Sequence, residues 1–341
     1  MKKKTIIIAE AGVNHNGSVE TAKKLIDAAA EAGADYVKFQ TFKAEKLVSQ
    51  TAQMAEYQVK NMAGSSSSQY EMLKRLELTE DDHFELQSYC NTKAIKFLST
   101  GFDIESVDLL DRLGVDLFKI PSGEITNYSL IKHIAKMGKP IVMSTGMATL
   151  EEIDDAFALL LSEGVPSENI TILHCNTEYP TPYEDVNLNA MGTIASKFNV
   201  PVGYSDHTLG IEVPIGAVAL GAVCIEKHFT LDRNLDGPDH IASLEPLELK
   251  LMIQSIRRLE ASLSGSGIKE PTLSELKNLI AARKSIHLSC NVKKGMMISE
   301  DQLIAKRPGS GMSPMKIPSI LGKRFARDIN RDEMLLTSDI L

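Results

Sequence analysis

Short β-branched runs alternate with segments of helical periodicity eight times along this chain, and few architectures accept that rhythm. The runs are residues 5–10, 36–40, 95–100, 117–122, 140–145, 170–175, 201–205 and 223–228. Between them, residues 19–32, 81–92, 105–113 and 150–162 carry apolar side chains at helical spacing. Gly33, Gly114, Gly138 and Gly164 stand just ahead of the next strand, where a helix is expected to stop. Near-continuous apolar strands joined by helices make a parallel sheet covered on its outside. Eight such units favour closure into a (β/α)8 barrel over an open sheet, and no GxGxxG follows the first strand.

The α/β pattern fills residues 1–263 and then stops. Ser264-Gly265-Ser266-Gly267 reads as a linker and residues 272–282 as a short amphipathic helix, so 264–282 is a connector. Residues 283–341 have the texture of a small β-rich domain, with a Lys306-Arg307-Pro308-Gly309-Ser310-Gly311 loop. One connection within the barrel is unusually long. Residues 41–80 separate the second strand from the helix before the third, and include Gly64-Ser65-Ser66-Ser67-Ser68. Loops of that length are functional lids or hold local helices, here expected at 55–61 and 69–76.

Charge narrows the function classes. The formal net charge is -8, but residues 283–341 hold 11 Lys+Arg against 6 Asp+Glu, leaving 26 against 39 in the rest. The tail is basic and the body acidic. An acidic chain without a basic stripe is no nucleic-acid binder. Cys90, Cys175, Cys224 and Cys290 are scattered without a CxxC pair, which fits a reducing cytoplasm. Met1-Lys2-Lys3-Lys4 mimics a signal peptide's start, but the apolar run after it ends at Glu10. No stretch reaches the ~20 apolar residues of a membrane span.

The C-terminal ends of barrel strands surround the face where active sites are built. Polar residues stand there after one apolar run after another: Glu10, Lys38, Thr100, Lys119, Ser122, Glu124, Ser144, His207 and His228. Two histidines on adjacent strands can share a metal ion and leave positions open for water and substrate, or can simply hydrogen-bond at the rim. Lys38 and Lys119 interrupt apolar strands, and a buried ammonium needs an anion, either a ligand or a structural carboxylate. Glu10 and Glu124 are candidates for acid–base work, although Glu124 also suits a helix start. His15 reads as a turn element and His174 as structural.

Read together, the motifs resemble the sialic-acid synthase family along essentially the whole chain. They include Ala9-Glu10-Ala11-Gly12-Val13-Asn14-His15-Asn16-Gly17, Val37-Lys38-Phe39-Gln40-Thr41, Lys119-Ile120-Pro121-Ser122-Gly123-Glu124 and Ser144-Thr145-Gly146-Met147. Further on come His174-Cys175-Asn176-Thr177-Glu178-Tyr179-Pro180, Gly203-Tyr204-Ser205-Asp206-His207-Thr208 and Glu226-Lys227-His228-Phe229-Thr230. The region around Lys306-Arg307-Pro308-Gly309 resembles the family's antifreeze-like (SAF) domain. The resemblance implies condensation of phosphoenolpyruvate with a 2-acetamido-sugar aldehyde, giving a nine-carbon 2-keto acid and phosphate. It implies N-acetylmannosamine as the sugar, with 2,4-diacetamido-2,4,6-trideoxymannose, the legionaminic acid precursor, as the alternative.

Carried over residue by residue, it gives His207 and His228 to a divalent metal, usually manganese, with magnesium or cobalt possible. Lys38, Thr100, Lys119, Ser122, Ser144, Ser205 and one of Asn176 and Thr177 hold phosphoenolpyruvate. Glu10 and Glu124 serve acid–base chemistry and sugar positioning, and Tyr179 lies beside the sugar. Arg307 is the arginine that one subunit's SAF domain inserts into the other's barrel, in a domain-swapped homodimer. Many members have proline where this chain has Gly101. The competing classes are another metal-dependent aldolase or hydrolase, and a non-catalytic binder of ice or polysaccharide. The lysine–hydroxyl ring opposes a hydrolase, and the basic tail opposes a flat, uncharged binding face.

Overall fold

The computed structural model describes residues 4–61 and 68–341; residues 1–3 and residues 64–67 of the Gly-Ser run lie outside them. The chain divides into two compact units, Met1–Ser264 and Gly265–Leu341.

The first unit holds eight parallel strands: β1 Ile6–Gly12, β2 Tyr36–Thr41, β3 Lys96–Gly101, β4 Phe118–Ile120, β5 Ile141–Ser144, β6 Ile170–Cys175, β7 Val202–Asp206 and β8 Cys224–His228. Their order is β3-β2-β1-β8-β7-β6-β5-β4, and the two ends, β3 and β4, meet so that the sheet is almost closed. This is the (β/α)8 barrel expected from the alternation.

Strand parity decides what lies inside it. Ile8, Leu98, Leu117, Val142, Leu173 and Cys224 form one buried apolar cluster that plugs the barrel. Their strand neighbours, among them Ile7, Val37, Phe118, Met143, Ile172 and Ile225, belong instead to the large core under the helices. Side chains on a strand alternate between faces, so two residues beyond the plug the interior positions are Glu10, Thr100, Lys119, Ser144 and Glu226. Each is buried. The apolar plug is thus the floor on which the polar residues stand. On the outward face, Lys227 and Asp206 are fully buried and paired at 2.6 Å between Nζ and Oδ2. Such a pair is costly to break from one side.

The long connection after β2 is a small packed layer. Helices Ala44–Leu47, Glu56–Asn61 and Gln69–Leu76 occupy it, and Ser68 with Glu71 forms a capping box at the start of the last. Val13, Phe42, Ala44, Met72, Leu73 and Leu76 give it its own apolar cluster. At Gly101, a Cβ would lie 2.9 Å from Val107 Cγ2 and 3.1 Å from its backbone nitrogen, so the following helix packs hard against this position. Among the described residues, no helix is long and apolar enough to cross a membrane.

The second unit pairs β9, Ser285–Leu288, antiparallel with β10, Leu303–Lys306. Ile286, Leu288, Val292, Ile298, Phe325, Ile329 and Leu335 form its core. Helix Leu273–Ala282 precedes it and buries none of its side chains.

Candidate active site

A cavity of about 600 Å³ opens at the C-terminal ends of the barrel strands. All the residues to which the resemblance gives a metal, substrate or acid–base role line it, except Asn176 and Arg307.

Its floor is a buried charge network. Lys38 Nζ lies 2.8 Å from Glu10 Oε2 and 3.6 Å from Glu226 Oε2, and donates to Thr100 Oγ1 at 3.0 Å. Lys119 Nζ lies 3.9 Å from Glu226 Oε1 and donates to Ser144 Oγ and to the Ile120 carbonyl. Ser205 Oγ donates to Glu226 Oε1 at 3.0 Å. Burial works against both ammonium groups, but Glu10 and Glu226 outweigh it at Lys38 and hold its pKa above the usual lysine value. At Lys119 burial wins, helped by the like charge of Lys38, and its pKa falls. Burial pushes Glu10 up to about 7 despite Lys38, while Lys119 and Lys38 together keep Glu226 below the usual carboxylate range. One carboxylate is thus ionised between two lysines, and the other sits near its titration point at neutral pH.

Two histidines form one wall. His207 and His228 have ring centroids 5.4 Å apart, and Tyr179 stacks on His207 at 4.0 Å and meets His228 edge-on at 5.6 Å. The Nδ1 of His207 donates to the Asn176 carbonyl, which fixes its tautomer and leaves Nε2 with a free lone pair. Burial lowers the pKa of His207 to about 4 and that of His228 well below the usual histidine value. Both are neutral donors. Asp239 Oδ2 approaches His228 Nδ1 at 3.8 Å.

Backbone geometry lets these groups crowd. β1 has a register shift between Glu10 and Gly12. Gly12 has φ +53, and a Cβ there would stand 3.3 Å from both Glu10 Oε1 and His228 Cε1. Only glycine takes that backbone freely and leaves room for both side chains.

On the opposite side, Ser122 Oγ accepts from the Gly146 N–H at 2.9 Å and lies 3.1 Å from Cys175 Sγ. Glu124 ends the short turn Ser122–Glu124, where Oε2 accepts from Asn127 Nδ2 at 2.6 Å. Asn176 turns into its own loop, its Oδ1 accepting from the Glu178 N–H at 2.8 Å. Of that adjacent pair, only Thr177 lines the cavity. Arg307 belongs to the second unit, where its Nε donates to the Ala282 carbonyl at 3.0 Å. His15 is a buried turn residue whose Nδ1 accepts from the Gly17 N–H, and His174 Nε2 donates to the Val186 carbonyl.

Sequence reasoning missed Glu226, which sits at the centre of the charge network. It lies two residues before His228 on β8, so strand parity places it on the same inward face.

Residues 25–269 match the NeuB family model, and residues 283–341 match the SAF domain. The chain belongs to the NeuB family. It is 52% identical over 333 residues to the N,N'-diacetyllegionaminic acid synthase of Campylobacter jejuni, covering 98% of this chain and 99% of that one. It is 51% identical to the protein of the same description from Legionella pneumophila, covering 98% and 94%. The crystal structure of an N-acetylneuraminic acid synthetase from Leptospira borgpetersenii superposes with a TM-score of 0.70 at 36% identity, covering 81% of this chain and 90% of that one. As a NeuB-family barrel carrying an SAF domain, the chain has the architecture its sequence resemblance implied.

Proposed function

We propose that this protein condenses phosphoenolpyruvate with 2,4-diacetamido-2,4,6-trideoxymannose to give N,N'-diacetyllegionaminic acid. The observation that carries this is the 52% identity across 98% of the chain to a protein of that description, against 36% to a sialic acid synthetase. N-acetylmannosamine, the sugar first implied by the family resemblance, therefore gives way to the diacetamido sugar.

The floor suits a multiply charged anion. Lys38 and Lys119, with Thr100, Ser122, Ser144, Thr177 and Ser205, hold the phosphate and carboxylate through charge-assisted hydrogen bonds from a fixed, water-poor frame. The enol C3 attacks the aldehyde carbon and forms the new C–C bond, while the aldehyde oxygen takes a proton. In this reading Glu10, near its titration point at neutral pH, supplies it. C2 is left with oxocarbenium character and is captured by water, whose proton Glu124 accepts. The C2 hydroxyl then passes its proton to the phosphate as the C2–O(phosphate) bond breaks, which leaves the 2-keto acid and inorganic phosphate. Tyr179 lies against the sugar.

The residues present fit a divalent cation. His207 and His228 are neutral and adjacent, one has Nδ1 committed to a carbonyl, and the other has a buried Nδ1 without a hydrogen-bond partner. Among the described residues, no group of three or more His, Cys, Asp or Glu side chains is placed to hold an ion. His207 and His228 would hold this cation, manganese in our reading with magnesium or cobalt as substitutes, and it would supply Lewis-acid polarisation of the aldehyde. We further propose a domain-swapped homodimer acting in the cytoplasm, in which Arg307 of each chain completes its partner's site; the resemblance and the basic tail support this.

The test is incubation with phosphoenolpyruvate, Mn2+ and each sugar in turn, following phosphate release and product mass. Diacetyllegionaminic acid should form with the higher kcat/KM. A preference for N-acetylmannosamine would overturn the reading.

A further inference from the structure

The cavity has two unlike sides. Its floor is charged, whereas the side contributed by the connection after β2 presents Leu47, Val48 and Leu73, joined by Phe102 from the end of β3. Two carboxamides, Gln58 and Gln69, and the exposed carboxylate of Glu56 punctuate that apolar surface. Gln58 Oε1 already accepts from the Ala55 N–H at 2.9 Å, so its NH2 is the group left to donate. The layer is also tied down: Asn61 Nδ2 donates to the Pro238 carbonyl at 2.8 Å and to the Tyr179 carbonyl at 3.3 Å. Those carbonyls belong to loops after β8 and β6, so this helix is fixed across the mouth from the floor.

We propose that this wall selects the sugar by its C4 and C6 substituents, an inference that rests on the substrate reading above. The aldehyde end must meet the enol carbon over the lysine floor, which turns the far end of the open chain toward the wall. N-acetylmannosamine carries hydroxyls at both C4 and C6. The diacetamido sugar carries an acetamide at C4 and a methyl at C6. The wall's apolar part, Leu47, Val48, Leu73 and Phe102, removes water from a C6 hydroxyl without replacing its hydrogen bonds, whereas it receives a C6 methyl and the methyl of the acetamide. The carboxamides supply what the acetamide needs: Gln58 donates to its carbonyl, and Gln69 accepts from its N–H. Sites that hydrogen-bond a substrate group discriminate more strongly than apolar pockets, which separate ligands only ~10–200-fold per methylene.

The experiment measures kcat/KM for both sugars, and KM for phosphoenolpyruvate, in the wild type, Gln69→Ala and the near-isosteric Val48→Thr. Gln69→Ala should lose about tenfold or more with the diacetamido sugar and much less with N-acetylmannosamine, at unchanged KM for phosphoenolpyruvate. Val48→Thr should narrow the ratio between sugars without disturbing the packed layer. A wild-type preference for N-acetylmannosamine overturns the substrate reading and this inference with it. A wild-type preference for the diacetamido sugar, with the ratio unmoved in both variants, overturns the wall alone.

Discussion

Glu226 is the residue on which the electrostatics of the floor turn. It is ionised between Lys38 and Lys119, and each of the three is almost wholly buried. Breaking a buried ion cluster from one side typically costs about 3–5 kcal/mol because the remaining charges lose their compensation. Glu226→Gln should therefore lower the melting temperature clearly, and phosphoenolpyruvate should restore more stability to the variant than to the wild type. Equal ligand-induced shifts in thermal melts of both proteins would show that the carboxylate does not stand in for the anion. Lys38→Ala removes one ammonium from the same cluster. Its KM for phosphoenolpyruvate should rise about ten- to a hundredfold, from the ~1.5–3 kcal/mol of a charge-assisted hydrogen bond. Steady-state kinetics with each substrate varied in turn checks this, and an equal rise for the sugar would make Lys38 structural. The histidines are read by a different measurement. His207→Ala and His228→Ala should each abolish calorimetric Mn2+ binding while the far-UV circular dichroism stays native, because neither imidazole belongs to the apolar clusters that hold the barrel together.

At the scale of elements, the barrel was legible because its strands are apolar on both faces and bounded by glycine and proline. The run 170–175 coincides with β6, and 36–40 falls one residue short of β2. The apolar pattern carries the fourth strand through Ser122, but it ends at Ile120, since Pro121 has no N–H to give a neighbouring strand. In the long connection, the segment 69–76 was expected as a helix and is one. Its partner Ala44–Leu47 was not foreseen, because a four-residue helix has no periodicity to read. The site was legible where a polar residue interrupts an apolar strand, as at Lys38. It was illegible at Glu226, whose role depends on closure bringing two lysines from other strands to one carboxylate. The bulge at Gly12 was equally hidden, because its purpose is the space it leaves. Gly12→Ala should cost about 1–2 kcal/mol for the left-handed backbone alone. It should also displace Glu10 or His228. A lower melting temperature together with a large fall in kcat is the expected pair of readouts, and normal turnover in a merely destabilised protein would count against the close approach.

For the whole molecule, the charge distribution is the feature that a single barrel does not explain. The C-terminal 59 residues, 283–341, hold 11 basic against 6 acidic side chains, in a chain whose net charge is -8. A basic domain carried by a chain with an acidic body can complement an acidic body in trans as readily as in cis, and closed two-fold dimers are the commonest soluble assembly. Arg307 is the group through which that arrangement would reach chemistry, because a guanidinium fork binds two oxygens of a carboxylate or phosphate at once. If each chain lends its arginine to its partner, Arg307→Ala and Lys38→Ala, assayed at phosphoenolpyruvate well below the raised KM of the latter, will both be nearly inactive alone. Each mixed dimer, however, contains one site with both residues intact, so random exchange should restore about a quarter of the wild-type rate. Subunit exchange between the purified variants, verified by native mass spectrometry, makes the measurement. Activity that stays at the level of the separate variants after full exchange would place Arg307 within its own chain's chemistry or outside chemistry altogether.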